Sequence, residues 1–565
     1  MGIFADYKDY KVYNPEYKPW KDKRNLDEAK RLEYLKQNPN AQNSQKEDVQ
    51  RAEALLNAID IMDEYSQSKA ENMEIVTDQM VQAATQIAQF GGSIVGGILC
   101  FIPPIAKTID HIALKINPKI DKGISRIAVC LGTGIIASLA TAMGLQGWAA
   151  AKQVSASRNG RFEAMQNELQ DVKKFATLTD DQEKLQNELA QKIPTTKAML
   201  KGNIAQNSNM LNPLTSFRLI GEIINPNQDI EEERIAFNEE LNTIPQNAPK
   251  LTEADILKAK KDQQLLLNIA EKIDMASQDY SENTELVVGT LTALALSGGF
   301  LTGYITNKLI KGFKIVNKNA VKYLPKAIGG TVALSSILLG TYLQKQASRV
   351  GRFKAKQELE KNPNNFIYVS QETIDNLKND VQVPQKERPN LFSFCIQAIK
   401  DNLEYKKYLK TKGIEEKKKM LALKDIELTP EQIKNAKQLQ KNTFKVFNKL
   451  DEKSQRYAES VEAVGATILQ PIALVSSLAG MGIGALVAKA KNIKINSKHG
   501  YIPLLAGSLL GAIPPILVNM YFTKEEKQAS RVAHMLAINE MSDYQKFVDY
   551  ENLEITKTNS KNKVL

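Results

Sequence analysis

The chain has 565 residues, a mean hydropathy of -0.33 and a formal charge of +11 with a pI near 9.1. The basic balance favours anionic partners, but Lys is interleaved with Glu rather than gathered with aromatics on one face, which argues against nucleic acid. Three Cys without paired spacing and three His exclude a disulfide framework and a His/Cys metal centre, so no cofactor is expected.

The mildly polar average conceals a segregation. Three pairs of uncharged apolar runs, at 79–106 and 127–151, 286–307 and 327–344, and 463–488 and 501–523, alternate with long polar stretches. Each run is about as long as the roughly 20 residues a helix needs to cross a bilayer. The expected fold is therefore all-α: an integral membrane protein of three repeated helical hairpins, six transmembrane helices in all, with long helical extensions into the cytoplasm. Repeat boundaries fall at 1–200, 201–377 and 378–565. The second and third copies align at a constant offset, which places Pro213 to Phe217 on Asn390 to Phe394 and Leu251-Thr252 on Leu428-Thr429.

Along the chain, the N-terminal stretch carries no basic-then-apolar leader, and Asp6 stands where a myristoylation signal wants Ser or Thr. Each copy then opens on a short helical stretch at Asn25, Asp229 or Asn402. A capped helix follows: Ser44 with Glu47, Thr252 with Asp255, and Thr429 with Pro430 and Gln432. Apolar residues at helical spacing (Leu55, Ile59 and Met62; Leu266, Ile269 and Ile273) run on from these caps, so each copy is expected to hold one helix exceeding about 70 Å that starts in water and enters the membrane.

Just before each first span stands an acidic signature. It reads Asp63-x-x-Ser66-Gln67 with Glu71 and Glu74, Asp274-x-x-Ser277-Gln278 with Glu282 and Glu285, and Asp451-x-x-Ser454-Gln455 with Glu459 and Glu462. Each second span exits on a basic counterpart, Ser157-Arg158 with Arg161, Ser348-Arg349 with Arg352, and Ser530-Arg531. A hairpin brings these ends together. Glu74 with Arg158, Glu285 with Arg349, and Glu462 with Arg531 thus form a candidate juxtamembrane ion-pair ring. Its plainest role is a register clamp, with exposed pairs contributing about 0–1 kcal/mol each.

Within the spans, Gly92 with Gly96, Gly299 with Gly303, and Gly480 with Gly484 make a GxxxG face in every first helix, the spacing that lets helix backbones approach in lipid. No Asp, Glu, Lys or Arg lies in any of the six runs, unlike the interiors of ion-coupled pumps. The hairpin loops repeat a Lys-Ile-(x)-Asn pattern. Lys115, Lys119, Lys314, Lys318, Lys494 and Lys498 are the candidate contacts for anionic lipid headgroups. Lys and Arg are balanced across the two sides of the spans. The long polar N-terminal tail and the large segments between hairpins are what place the termini in the cytoplasm.

Three two-helix units is a count similar to that of the mitochondrial carriers. Their Pro-x-[Asp/Glu]-x-x-[Lys/Arg] signature is missing from the corresponding ends, Pro103 to Lys107, Thr306 to Lys308 and Ala488-Lys489, so no function carries over. Neither a phosphate-binding Gly-rich loop nor a Gly-x-Ser-x-Gly elbow occurs, and an enzyme is the least expected class. The sequence points to a membrane-embedded structural or scaffolding protein that binds anionic lipid, or protein partners through its cytoplasmic helices. The alternative is a channel or transporter with a pathway along a pseudo-threefold axis.

Overall fold

The computed structural model describes residues 3–38, 46–116, 151–196, 228–242, 251–312, 346–378, 391–490 and 501–550, with isolated positions between them. Among these the regular structure is helical, with no strand. The expected all-α class is observed. The helices in chain order are α1 (Ile3–Gln37), α2 (Lys46–Leu99), α3 (Pro103–Ile116), α4 (151–163), α5 (Asp180–Lys192), α6 (Gln228–Asn242), α7 (Glu253–Gly312), α8 (346–361), α9 (Gln371–Asp375), α10 (Leu391–Lys410), α11 (Lys412–Ala422), α12 (Pro430–Ala490) and α13 (Tyr501–Glu540).

Three helices dominate: α2 with 54 residues, α7 with 60 and α12 with 61. At 1.5 Å per residue each is about 80–90 Å long. Their starts are fixed locally. Thr252 N–H donates to the Asp255 carboxylate at 3.1 Å while Asp255 N–H donates to Thr252 Oγ1 at 3.2 Å. Thr429 and Gln432 repeat this reciprocal cap at 2.9 and 3.2 Å. Ser44 lies outside the described residues.

The three long helices pack together through their N-terminal halves. Leu55, Leu56, Ile59 and Met62 of α2 meet Leu266, Ile269, Ala270 and Ile273 of α7 and Val446, Phe447 and Leu450 of α12 in one buried core. The π-helical turn Ala164–Glu168 that follows α4 and the ends of α8 and α13 complete it, through Met165, Leu359 and Ile538 among others. The opening helices lie outside this bundle. Tyr10 and Tyr17 of α1 bury against Tyr457 and Val461 of α12 and Val532 of α13. Phe394 and Ala398 of α10 bury against Val287 and Leu343.

The apolar runs fare differently from expectation. Among the described residues no single helix is long and apolar enough to cross a membrane. The run 79–106 is not one helix: α2 ends at Leu99, α3 starts at Pro103, and the two meet at 95°. Pro103 and Pro104 cause the break, because proline supplies no N–H and pushes the residue before it out of helical geometry. Together the bent pair passes the test of length and composition that neither helix passes alone. The runs 286–307, 463–488 and 501–523 lie inside α7, α12 and α13. Most of 127–151 and 327–344 lies outside the described residues.

Candidate functional site: a polar ring between the three segments

Where the long helices leave the apolar core they carry the acidic signature, and the return helices carry the Ser-Arg signature beside it. Within each segment the two serines pair. Ser66 and Ser157 are joined at 2.6 Å, Ser277 and Ser348 at 2.6 Å, and Ser454 and Ser530 by a further hydrogen bond. Close backbone approach makes this possible. A Cβ on Gly160 would stand 2.6 Å from the Tyr65 carbonyl oxygen, and one on Gly351 would stand 2.9 Å from the Ala276 carbonyl oxygen.

Between segments the contacts run in one direction around a closed cycle. Arg349 of α8 donates to Glu64 at 2.9 Å and to Glu71 at 2.7 Å, both on α2. Arg531 of α13 donates to Asp279 at 2.8 Å and Glu282 at 2.7 Å, both on α7. Arg158 of α4 donates to Gln455 of α12 at 3.2 Å. The amides answer: Gln278 donates to Ser530 at 2.8 Å and Gln455 to Ser157 at 2.7 Å. Each return helix thus reaches the long helix of the preceding segment, the first segment reaching the third.

One turn further into the bundle the three aspartates form a second tier. Arg161 lies 2.7 Å from Asp63 and 3.2 Å from Asp451, Arg352 lies 3.3 Å from Asp63, and His534 Nδ1 lies 3.0 Å from Asp274. Burial works to lower the Arg161 pKa, but Asp451, Asp63 and Asp274 outweigh it and raise it. Burial raises the pKa of Asp451. The Asp274–His534 pair does not extend to a serine. Among the described residues His534 Nε2 has no hydrogen-bond partner, and Ser530 is bonded to Ser454 and Gln278 instead.

The third tier lies toward the apolar runs. Glu285 pairs with Lys527. Burial raises the Glu462 pKa, and Glu459 and Glu74 raise it further. Glu526 is pushed up to about 8 by burial, with Glu462 and Glu285 adding to the effect and Lys527 opposing it. Glu74, Glu285 and Glu462 therefore surround a common region with Glu526, a carboxylate the sequence reading did not single out.

The arginines of the expected ring have different partners from those anticipated. Arg349 and Arg531 hold Glu71 and Glu282, about one helical turn before Glu74 and Glu285, and they do so on a neighbouring segment. Pairing inside a hairpin was the natural expectation because loops tie its ends together. The side-by-side packing of the helix pairs α2 with α4, α7 with α8 and α12 with α13 offers the neighbour's carboxylates at the same height. Of the GxxxG positions, Gly92 is placed: its carbonyl accepts a hydrogen bond from Thr133 Oγ1 at 2.9 Å, across the first hairpin. Gly96 is buried in the same helix. The surroundings of Gly299, Gly303, Gly480 and Gly484 lie outside the described residues, as do the side chain of Lys115 and the whole of Lys119, Lys314, Lys318, Lys494 and Lys498.

One recurring feature escaped the sequence reading. After each return helix comes a single 3₁₀ turn, Val172–Phe175, Pro363–Phe366 or Tyr544–Phe547. Asp171, Asn362 and Asp543 cap these turns by accepting from the backbone two residues on. Phe175, Phe366 and Phe547 plug the base of the core. The pattern [Asp/Asn]-x-x-x-Phe was visible at nearly the same distance after each Ser-Arg.

Compared with known proteins, the chain matches no protein-family model, no curated protein and no solved structure.

Proposed function

We propose that this chain is a membrane-embedded structural or scaffolding protein. In this reading three helical-hairpin repeats surround a pseudo-threefold axis, with a water-exposed bundle on one side that receives protein partners. The basic hairpin loops receive anionic lipid. One observation supports its membrane part. Ile87, Phe90, Ile94 and Ile98 form one stripe along α2 that Phe101 extends into the turn after it, with Phe90 74 % and Phe101 85 % exposed. An apolar surface of that length is seldom left to water, and lipid is the surrounding that covers it.

What supports the scaffold reading over a conduit is the apolar packing of the three long helices in the bundle outside the spans. Directly beneath the aspartate tier, Met62, Ile273 and Leu450 are buried against one another, followed by Ile59, Ala270 and Phe447. A solute route along the axis would have to open this apolar plug, and densely packed cores do not yield gradually.

The carboxylate tier of Glu285, Glu462 and Glu526 is what favours the second reading, a channel or transporter, since acidic rings attract cations. Flux measurements on purified protein in liposomes separate the two. The scaffold reading expects no movement of ions, small organic solutes or lipids. Robust flux abolished by replacing Glu285 and Glu462 would overturn it. Sidedness is tested with an impermeant thiol reagent on single Cys residues at Asn117 and Asn390. Reaction of Asn390 from outside would reverse the cytoplasmic placement of the bundle.

A further inference from the structure

The 95° turn between α2 and α3 sits at the end of the exposed apolar stripe, and it is built rather than incidental. The last turn of α2 tightens, with Phe101 N–H donating to Ile98 at 2.9 Å and Ile102 N–H to Leu99 at 3.2 Å. Pro103 and Pro104 then occupy the first turn of α3, where proline is tolerated because those N–H groups have no helical partner. Beyond the turn α3 is two-sided. Ala106 is buried and Ile105 and Ile109 are half-buried, while Lys107, Thr108 and His111 are exposed. Ile112 and Ile116 continue the Ile105–Ile109 spacing in sequence.

We propose that α3 is an interfacial anchor that lies in the plane of the far leaflet, at the level of its phospholipid headgroups. The inference rests on the membrane reading above and adds a location and a partner to it. If α2 with its stripe stands across the bilayer, a helix at 95° to it lies along the membrane surface. Phe101 and Ile102, exposed at the corner, enter the acyl boundary. Lys107 sits among the phosphates. α3 itself carries Lys107 and Lys115 against Asp110, a positive balance in sequence that suits an anionic surface. Ile105, Ala106 and Ile109 are already covered by the protein to differing degrees, so the corner of Phe101 and Ile102 makes the lipid contact, at the roughly 5–10 Å depth usual for interfacial anchors.

The test is depth measurement by nitroxide labels in the full chain, reconstituted into vesicles of phosphatidylcholine and phosphatidylglycerol. Labels are placed one at a time at Ile94, Phe101, Ile102, Thr108 and Ile109, in a background with Cys100, Cys130 and Cys395 replaced by Ser. Depth is read from the ratio of oxygen to water-soluble nickel accessibility. Ile94 is expected to be deep. Phe101, Ile102 and Ile109 are expected at one common shallow depth, with Thr108 open to the nickel reagent. Phe101 and Ile102 are exposed, so labels there do not disturb packing even if Ile109 does not tolerate one. A depth that changes steadily from Ile102 to Ile109 would make α3 a continuation of the span and overturn the anchor. Full nickel access at Phe101, Ile102 and Ile109 with Ile94 deep would overturn it too, by placing α3 in water. Nickel access at Ile94 as well would show that the membrane reading itself has failed, and the anchor with it.

Discussion

Arg349 Nε lies 2.9 Å from Glu64 and Arg349 Nη1 lies 2.7 Å from Glu71, joining the return helix of the second segment to the long helix of the first. The guanidinium is 4 % exposed, so this pair is far from the surface regime in which ion pairs contribute little. Removing one partner of a buried pair leaves its charges uncompensated. Arg349→Ala is expected to destabilise the protein by about 3–5 kcal/mol, measured by denaturant unfolding in micelles. A double-mutant cycle with Glu71→Gln should show a coupling of at least about 1 kcal/mol. Strict additivity would mean that the contact does not hold the segments together.

The crossing of α8 with α7, inside the second segment, depends on a small residue. A Cβ on Gly351 would meet the Ala276 carbonyl oxygen, the Ser277 Cα and the Tyr280 Cβ, all at 2.9 Å. Backbone cannot move aside cheaply, so Gly351→Ala is expected to cost about 1–3 kcal/mol despite the better helix propensity of alanine. The third segment has Ala533 at this place after its Ser-Arg, fully buried. There Ala533→Gly is expected to lose about 1 kcal/mol through propensity alone. The two substitutions thus destabilise in opposite chemical directions, and thermal melting of both variants checks it. A stabilised Gly351→Ala protein would contradict the close approach.

Glu526 supplies a pH dependence. Its carboxyl is held at about 8 in the folded protein against 4.5 in its absence. The folded state therefore binds this proton more tightly than the unfolded state does. The resulting stability is fully present below about pH 4.5 and is lost as pH rises through about 8. Glu526→Gln removes the titration. It should leave melting near pH 4.5 almost unchanged and raise stability at pH 8 and above by about 2 kcal/mol, allowing for partial solvent contact. Equal effects at both pH values would show that Glu526 is not protonated by its surroundings.

Phe547 is fully buried at the base of the core, and Phe175 nearly so. Gln438 Nε2 donates to the Phe547 carbonyl at 2.9 Å, pinning the turn to α12. Phe547→Ala and Phe175→Ala are each expected to destabilise by about 3–5 kcal/mol. Hydrogen exchange should show the loosening along the N-terminal halves of all three long helices, since one core joins them. Loosening confined to the mutated segment would mean that the segments are stabilised independently.

Much of this architecture is local and was legible from the residues. The caps at Thr252 and Thr429 are short-range patterns whose partners lie three residues away, so the sequence contains both halves of each bond. The apolar periodicity of Ile59, Met62, Leu266 and Ile273 marks a buried helical face in the same way. The meeting of Asp-x-x-Ser with Ser-Arg was also foreseeable, because a hairpin constrains its own two ends. The turn at Pro103-Pro104 was written in the chain as well, but an unbroken hydropathy run hides it. Hydropathy averages composition and is blind to the backbone donor that proline removes.

What the sequence determined by itself is therefore the helical class, the starts of the long helices, the polar signatures and the side of each helix that is apolar. What only the tertiary structure decided is which segment answers which. Arg349 finds Glu64 and Glu71, Arg531 finds Asp279 and Glu282, and Glu526 joins Glu285 and Glu462, because helix pairs packed side by side place equal heights of different segments in contact. Such pairings depend on the rotation of each helix about its own axis and on the order of segments around the bundle. Neither is set by local spacing. Both are set by the burial of Met62, Ile273 and Leu450 in a single core, which fixes the direction every polar side chain above them must take.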